Sequence, residues 1–478
     1  MTVNPKTYDA VVVGSGPNGL AAAITLARAG LSVIILEANH QIGGGTRSQG
    51  LTLPGFVHDV CSAVHPLAAA SPFFRSLPLN EYGLEWIESS FSVAHPFDDG
   101  SAVTLEPSVQ ATAKNLGIDE NAYRKLMQPF ADHWPALMDE ILQPVLHFPK
   151  HPFRLARFGM LGLLSANAFA EKCFKGERAR SLFLGIAAHA NAPLTQAGTG
   201  AIGLMLMLAA HAKGWPLPLG GSQKIADAMA AYFIKLGGEI RTEHPVDDLS
   251  HLPQAKLVFF DLIPKQIISI LKNDLPATMQ ASYSHFLPGP GVFKVDWALN
   301  APIPWRSKEC ARSATLHLGG NPKQLIEAEA DPQAGRLSQT PYVLLSQPSL
   351  FDSTRAPMGA HTAWGYCHVP NGSLEDRTEA IENQVERFAP GFKKTIQAKH
   401  VMNTLALENH NRNLVGGDIS GGAVNLRQLL FRPRFGANPY EIIRDRFYIC
   451  SSSTPPGPGV HGMSGFNAAM AALKLHKK

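Results

Sequence analysis

Apolar residues fall in short runs broken by glycine, proline and polar residues, and the period of each run predicts its element. The stretch Tyr8-Asp9-Ala10-Val11-Val12-Val13 reads as a short buried strand. It leads into the glycine turn Gly14-Ser15-Gly16-Pro17-Asn18-Gly19 and then a helix. A second strand, Ser32 to Leu36, ends at Glu37. In mid-chain, Ile225, Ala228, Met229, Tyr232 and Phe233 recur at helical spacing and predict an amphipathic helix over Ser222–Leu236, stopped by Gly237-Gly238. A strand at Glu239–Thr242, a buried strand at Lys256–Asp261 and a helix from Pro264 to Leu271 follow in β-α-β order. Near the C-terminus, a strand from Arg446 to Ser453 runs into a glycine-proline turn. A small-residue helix then extends from Met463 to about Leu475.

The rest divides in two. Residues from about Ser62 to Trp215 read as largely helical. Those from about Phe286 to Asn413 alternate like strands, at Val292–Leu299, Ala314–Leu318 and Tyr342–Ser346. The mixed segment His151–Ala170 carries Arg154 and Arg157 among Phe153, Phe158 and Met160; it reads either as a domain-packing helix or as one lying in a membrane interface.

Composition narrows the classes. With 478 residues, 45% hydrophobic and 17% charged, the chain can build substantial cores and is not disordered. A net charge of +4 without a Lys/Arg run gives no indication of nucleic-acid binding. Five scattered cysteines form no CxxC pair, which excludes a redox dithiol of that kind and a cysteine zinc site of the usual spacing. No metal site is expected, and no Gly-x-Ser-x-Gly nucleophile elbow occurs. With no stretch of about 18 apolar residues and no leader-like start, the expected location is cytoplasmic, with peripheral membrane contact or an organelle matrix left open.

The glycine turn carries the first chemistry. Gly14 permits the tight turn, Gly16 lets backbone approach a pyrophosphate, and Gly19 lets helix and strand pack. Pro17 and Asn18 begin a helix whose free N–H groups face the phosphates, and Glu37 can accept from ribose hydroxyls. The run Glu37-Ala38-Asn39-His40-Gln41-Ile42-Gly43-Gly44-Gly45-Thr46-Arg47 resembles the acid, double-glycine and basic extension of the glutathione-reductase-like flavoproteins. That resemblance implies FAD, with Gly43 and Gly44 approaching the dinucleotide and Arg47 meeting phosphate or flavin. Val246 is expected on the adenine side, and Gly462 and Met463 at the start of a helix aimed at the flavin ring.

Further strings extend the resemblance along nearly the whole chain. They include Gly289-Pro290-Gly291-Val292-Phe293-Lys294-Val295-Asp296-Trp297, Glu386-Arg387-Phe388-Ala389-Pro390-Gly391-Phe392 and Ser453-Thr454-Pro455-Pro456-Gly457. The sequence resembles the phytoene desaturase/amine oxidase flavoprotein group, most of all the phytoene-dehydrogenase-like family of pyridine nucleotide-disulfide oxidoreductase domain-containing protein 2. The resemblance implies an α/β fold: a discontinuous glutathione-reductase-like FAD/NAD(P)-binding Rossmann domain with an α+β substrate domain. Residues 1–61, 217–287 and 414–478 would form the first, 62–216 the helical part and 288–413 the sheet part of the second.

Three residues are candidates for catalysis. Lys294 follows a Pro/Gly stretch and is similar to the flavin-facing lysine of amine oxidases; it reads equally as an ion-pair partner of Asp296. His461 precedes the C-terminal helix and reads as a flavin-edge contact or a turn cap. Asp418, in Gly416-Gly417-Asp418-Ile419, reads as a flavin-loop residue or a turn aspartate. His189, His317 and His368 are core histidines or pocket walls. The expected activity is hydride transfer from a hydrophobic, isoprenoid- or carotenoid-like substrate to flavin N5, with oxygen, a quinone or another electron acceptor completing turnover. The alternatives are an amine oxidase, with Trp364 and Tyr366 as cage walls, and a flavin-stabilised interaction protein with little turnover. Oligomeric state is not legible.

Overall fold

The computed structural model describes residues 6–476. Two sheets organise the chain. The first has six strands in the order Glu441–Ile443, Phe447–Ile449, Ala255–Phe260, Tyr8–Val13, Val33–Leu36, Glu239–Arg241. All its pairs are parallel except the first, so it is a doubly wound sheet fed from the start, middle and end of the chain. Parallel strands buried on both faces need continuous apolar runs, which Tyr8–Val13 and Val33–Leu36 supply. The helices Pro17–Arg28 and Met463–His476 pack side by side on one face. Gly465 permits this, because a Cβ there would overlap the Asn18 carbonyl.

The second sheet has seven strands, in the order Ile396–Met402, Gly291–Leu299, His361–Val369, Val343–Ser346, Ser313–Leu318, Phe91–Pro96, Ala102–Leu105. Its last two strands correct the helical reading of 62–216. That segment does form a helical layer, but Phe91–Pro96 pairs in parallel with Ser313–Leu318 and Ala102–Leu105 closes the edge. The Asp98-Asp99-Gly100 turn between them is the signal that the helical reading passed over. His361–Val369 and Ile396–Met402 also went unread as strands; the first is buried along nearly its whole length and lacks alternation. Trp297, Phe388 and Phe392 form a core on one side of this sheet. A larger core joins its other side to the helical layer and to one face of the six-stranded sheet.

Candidate dinucleotide and substrate cavity

One cavity of about 630 Å³ runs from the first glycine turn to the wall of the seven-stranded sheet. Its dinucleotide end is built by chain geometry. Gly14 has φ +100°, which a residue with a Cβ would not adopt without strain. A Cβ on Gly16 would lie 2.6 Å from the Asp261 carboxylate, so only glycine leaves the turn open. Gly44, at φ +54°, lies against the Gly16 backbone from the opposite side. The helix starts at Pro17 with Gly16 as its cap and no side-chain cap, and the Asn18 Oδ1 is buried without a protein partner. Bare backbone, a helix N-terminus and a free buried acceptor fit a dinucleotide.

Gly14, Gly16, Pro17, Asn18, Glu37, Gly44, Arg47 and Val246 all border the cavity. Glu37 is tied to the protein on both oxygens. Oε2 accepts from the Ser15 N–H at 2.9 Å and the Ser15 hydroxyl at 2.5 Å, while Oε1 accepts from the Asn39 N–H at 2.9 Å and from Arg47 at 3.2 Å. Arg47 also donates to the Gln41 and His410 carbonyls, which fixes the guanidinium although burial opposes its charge. Gly19 and Gly43 serve the turn from behind. Gly19 packs against Gly14, and its N–H donates to Asp261 at 3.0 Å; Gly43 faces Ala226 and Thr46.

The remaining site candidates separate cleanly. Lys294 borders the cavity and is the ion-pair partner of Asp296. Its ammonium is 2% exposed and lies 5.6 Å from the centre of the Trp364 ring. Burial pushes Asp296 up to about 6 despite that cation. Burial, with the Lys294 and Arg355 cations, pushes His58, 3.7 Å from Asp296, down to about 3, so it is neutral.

His461 and Asp418 lie outside the cavity wall. The Met463 N–H donates to His461 Nδ1 at 3.0 Å, and Nε2 meets the Gly457 carbonyl at 3.1 Å, so the imidazole holds the turn before the last helix. Asp418 accepts from the N–H groups of Gly289, Ser420 and Gly422 and organises its own loop. Each thus takes the turn-stabilising one of its two readings. Gly462 and Met463 begin the helix, but Gly459 and Val460, just before them, are what reach the cavity.

Several wall residues were not singled out from sequence. Asp261, read only as a strand end, sits against the glycine turn, and burial pushes its pKa up to about 7 with Glu37 adding to the effect. Asn409, Asn411 and Asn413, placed by sequence in the sheet segment, line the cavity instead, and Asn413 donates to the Asp261 carbonyl at 2.9 Å. The alternating asparagines were the available turn signal. At the far end, His189 borders the chamber and its Nε2 lies 2.9 Å from Nε2 of the wholly buried His317. Burial pushes His189 down to about 3, so the pair is neutral and one ring donates to the other. His368 lies behind the wall, with Nδ1 2.7 Å from Glu329. Among the described residues no metal-binding cluster occurs, and all five cysteines are free.

Residues 12–77 match the NAD(P)-binding Rossmann-like domain family. The mouse pyridine nucleotide-disulfide oxidoreductase domain-containing protein 2 is 25% identical, over 98% of this chain and 93% of its own length. The chain is homologous to that protein. Hydroxyneurosporene desaturase of Cereibacter sphaeroides is 29% identical over 49% of each chain. A putrescine oxidase triple-mutant structure superposes with a TM-score of 0.65 at 17% identity, covering 98% of this chain and 99% of that one. The chain therefore shares the two-domain fold of that putrescine oxidase structure, and its sequence likeness extends to a desaturase over about half of its length.

Proposed function

We propose that the protein is an FAD-dependent dehydrogenase or oxidase acting on a hydrophobic substrate. The observation carrying this reading is the single cavity that joins the dinucleotide turn to an apolar chamber walled by Leu206, Trp215, Val292, Leu344, Trp364 and Tyr366. When bound, the flavin supplies a two-electron acceptor for a C–H hydride. The chain binds, orients and excludes water. Gly14, Gly16 and the helix start at Pro17 take the pyrophosphate, with Glu37 and Arg47 held rigid beside it. Leu206, Leu344 and the aromatic wall displace water from an apolar substrate. His189, neutral and held by His317, offers a hydrogen bond without placing a charge in the chamber. Lys294 brings a cation to that end of the cavity, fixed in direction by Asp296. Oxygen or a quinone would serve as acceptor.

An isoprenoid or carotenoid-like substrate accords with the apolar walls and with the partial likeness to hydroxyneurosporene desaturase. An amine substrate is less well served. The Trp364 and Tyr366 rings are parallel within 3° but only 5.9 Å apart between centroids. A group sandwiched between two rings needs about 7 Å, two contact distances, so the pair is a wall and not a cage.

The test is the purified protein's absorption spectrum, followed by an anaerobic screen of isoprenoids, carotenes, amines and alcohols. The expected result is a flavin spectrum bleached by an apolar C–H donor. Bleaching by amines alone would overturn the substrate class, and a colourless protein that does not take up FAD would overturn the whole reading.

A further inference from the structure

The outward face of one short helix is apolar where a surface helix is ordinarily polar. Pro152–Gly162 buries Phe158 and Gly162 against the protein, yet Phe153 is 90% and Met160 70% exposed, with Leu163 continuing the same face. The loop before it presents Val145, Leu146 and a fully exposed Phe148. A second segment carries exposed Leu426, Phe431 and Phe435, the last two with rings 5.1 Å apart. The two segments meet. A surface crevice is lined by Val145 and Leu146 from one and by Leu430 and Phe435 from the other. At the far end of the helix, Leu163 accepts from the Gly198 N–H, and Gly198 abuts Leu426 and Leu429. Exposed apolar side chains of the two segments thus lie side by side at the crevice and again near Gly198, and exposed apolar clusters of this kind mark interaction sites.

Its charge is one-sided. Leu142 to Ala170 contains Lys150, Arg154 and Arg157 and no aspartate or glutamate; Ile419 to Tyr440 contains the exposed Arg427 and the half-buried Arg434 (Arg432 is buried) and, after the start of the loop at Asp418, no acid. We propose that this face docks on an anionic phospholipid bilayer as an interfacial, non-spanning contact. The phenylalanines would enter the headgroup–acyl boundary while the basic residues meet lipid phosphates. A second copy of the chain is the poorer occupant, because a twofold contact would set the same cations against themselves. Among the described residues no helix is long and apolar enough to cross a membrane, which accords with a surface contact. The docked helix packs on Thr199–Lys213, whose Leu206 is part of the cavity wall, so one helix separates the bilayer from the chamber. The surface rests on exposure and charge and is independent of the catalytic reading.

The test is co-sedimentation of the full chain with phosphatidylcholine vesicles, with and without about 30% phosphatidylglycerol. Binding is expected on the anionic vesicles, weakened by salt. The Phe148→Ser/Phe153→Ser variant should lose about tenfold or more in affinity while keeping its melting temperature, since both rings are in water. Lys150→Glu/Arg154→Glu should lose anionic binding by a separate route. Failure of the wild-type chain to pellet with either vesicle would overturn the proposal. So would equal binding by the serine variant, or a concentration-dependent dimer that the serine substitutions dissolve while vesicles go unbound.

Discussion

Lys294 and Asp296, two residues apart on one strand, form an ion pair in which the ammonium nitrogen lies 2.5 Å from both carboxylate oxygens, and neither is more than 2% exposed. The pairing changes what removal of the lysine does. Methionine matches the volume of lysine, so packing alone would suffer little. It would, however, leave Asp296 buried without its cation, a loss of about 3–5 kcal/mol. Lys294→Met should therefore melt several degrees low, and Lys294→Met/Asp296→Leu should recover most of the deficit. Thermal unfolding of the three proteins measures this. In the single variant, reoxidation of reduced flavin should slow about tenfold, roughly 1.4 kcal/mol of barrier. Unchanged reoxidation with every acceptor tried would leave Lys294 a stability residue only.

A bulky side chain at the first turn tests the cofactor end. A Cβ at Gly16 already comes within 2.6 Å of Asp261, and anything larger fills the pyrophosphate approach. Gly16→Trp should give colourless protein whose substrate domain remains folded. An FAD absorbance equal to wild type would remove this turn from the site.

The doubly wound sheet was legible because its strands are buried on both faces, and continuous apolar runs bounded by glycine turns have few other readings. The cofactor glycines were legible for a related reason: a bare backbone and a positive φ leave a residue-type signature. The walls of the chamber left less. Trp364, Tyr366 and His189 were legible only as wall candidates beside other readings, while Leu206, Trp215 and Leu344 reach the cavity through strand pairing and helix packing over long sequence separations, and nothing local distinguishes them from core residues. His461 and Asp418 show the converse. Each sits in a glycine-rich turn that passes near the site, and the turn itself uses up their hydrogen bonds.

Buried neutral histidines set the acid limit of the fold. Burial pushes His65, His95 and His461 down to about 4 and His189 to about 3. An unfolded histidine titrates near pH 6.5, roughly. Below that value the unfolded chain binds protons that the native chain refuses. The stability these groups lend is therefore fully present above about pH 6.5 and is lost as pH falls toward about 4. Asp261 and Asp296, raised to about 7 and about 6, act in the opposite sense, since what they lend is present at low pH and lost as pH rises. Four histidines outweigh two carboxyls. Melting temperature should fall steadily from about pH 7 to about pH 5, and a flat profile would contradict neutral burial of these rings.

Asp261 supplies the most specific prediction. Its Oδ2 accepts from the Gly19 N–H at 3.0 Å, inside the turn that faces the pyrophosphate. Burial, with the Glu37 carboxylate adding to it, raises its pKa to about 7. A protonated Asp261 is neutral and leaves the helix N-terminus free to attract phosphate. An ionised one opposes the phosphate; two unit charges about 6 Å apart at an effective dielectric near 20 repel by about 3 kcal/mol. Binding of FAD should thus draw a proton onto Asp261, and affinity should weaken as pH rises through about 7. A fall on the order of tenfold between about pH 6 and about pH 8 is expected from that repulsion, partly screened. Asp261→Asn keeps the shape and can still accept from Gly19, so it should bind FAD at least as tightly at high pH and lose the slope. Fluorescence titration of the flavin-free protein at both pH values reads the difference. Parallel slopes in wild type and Asp261→Asn would show that another group sets the pH dependence.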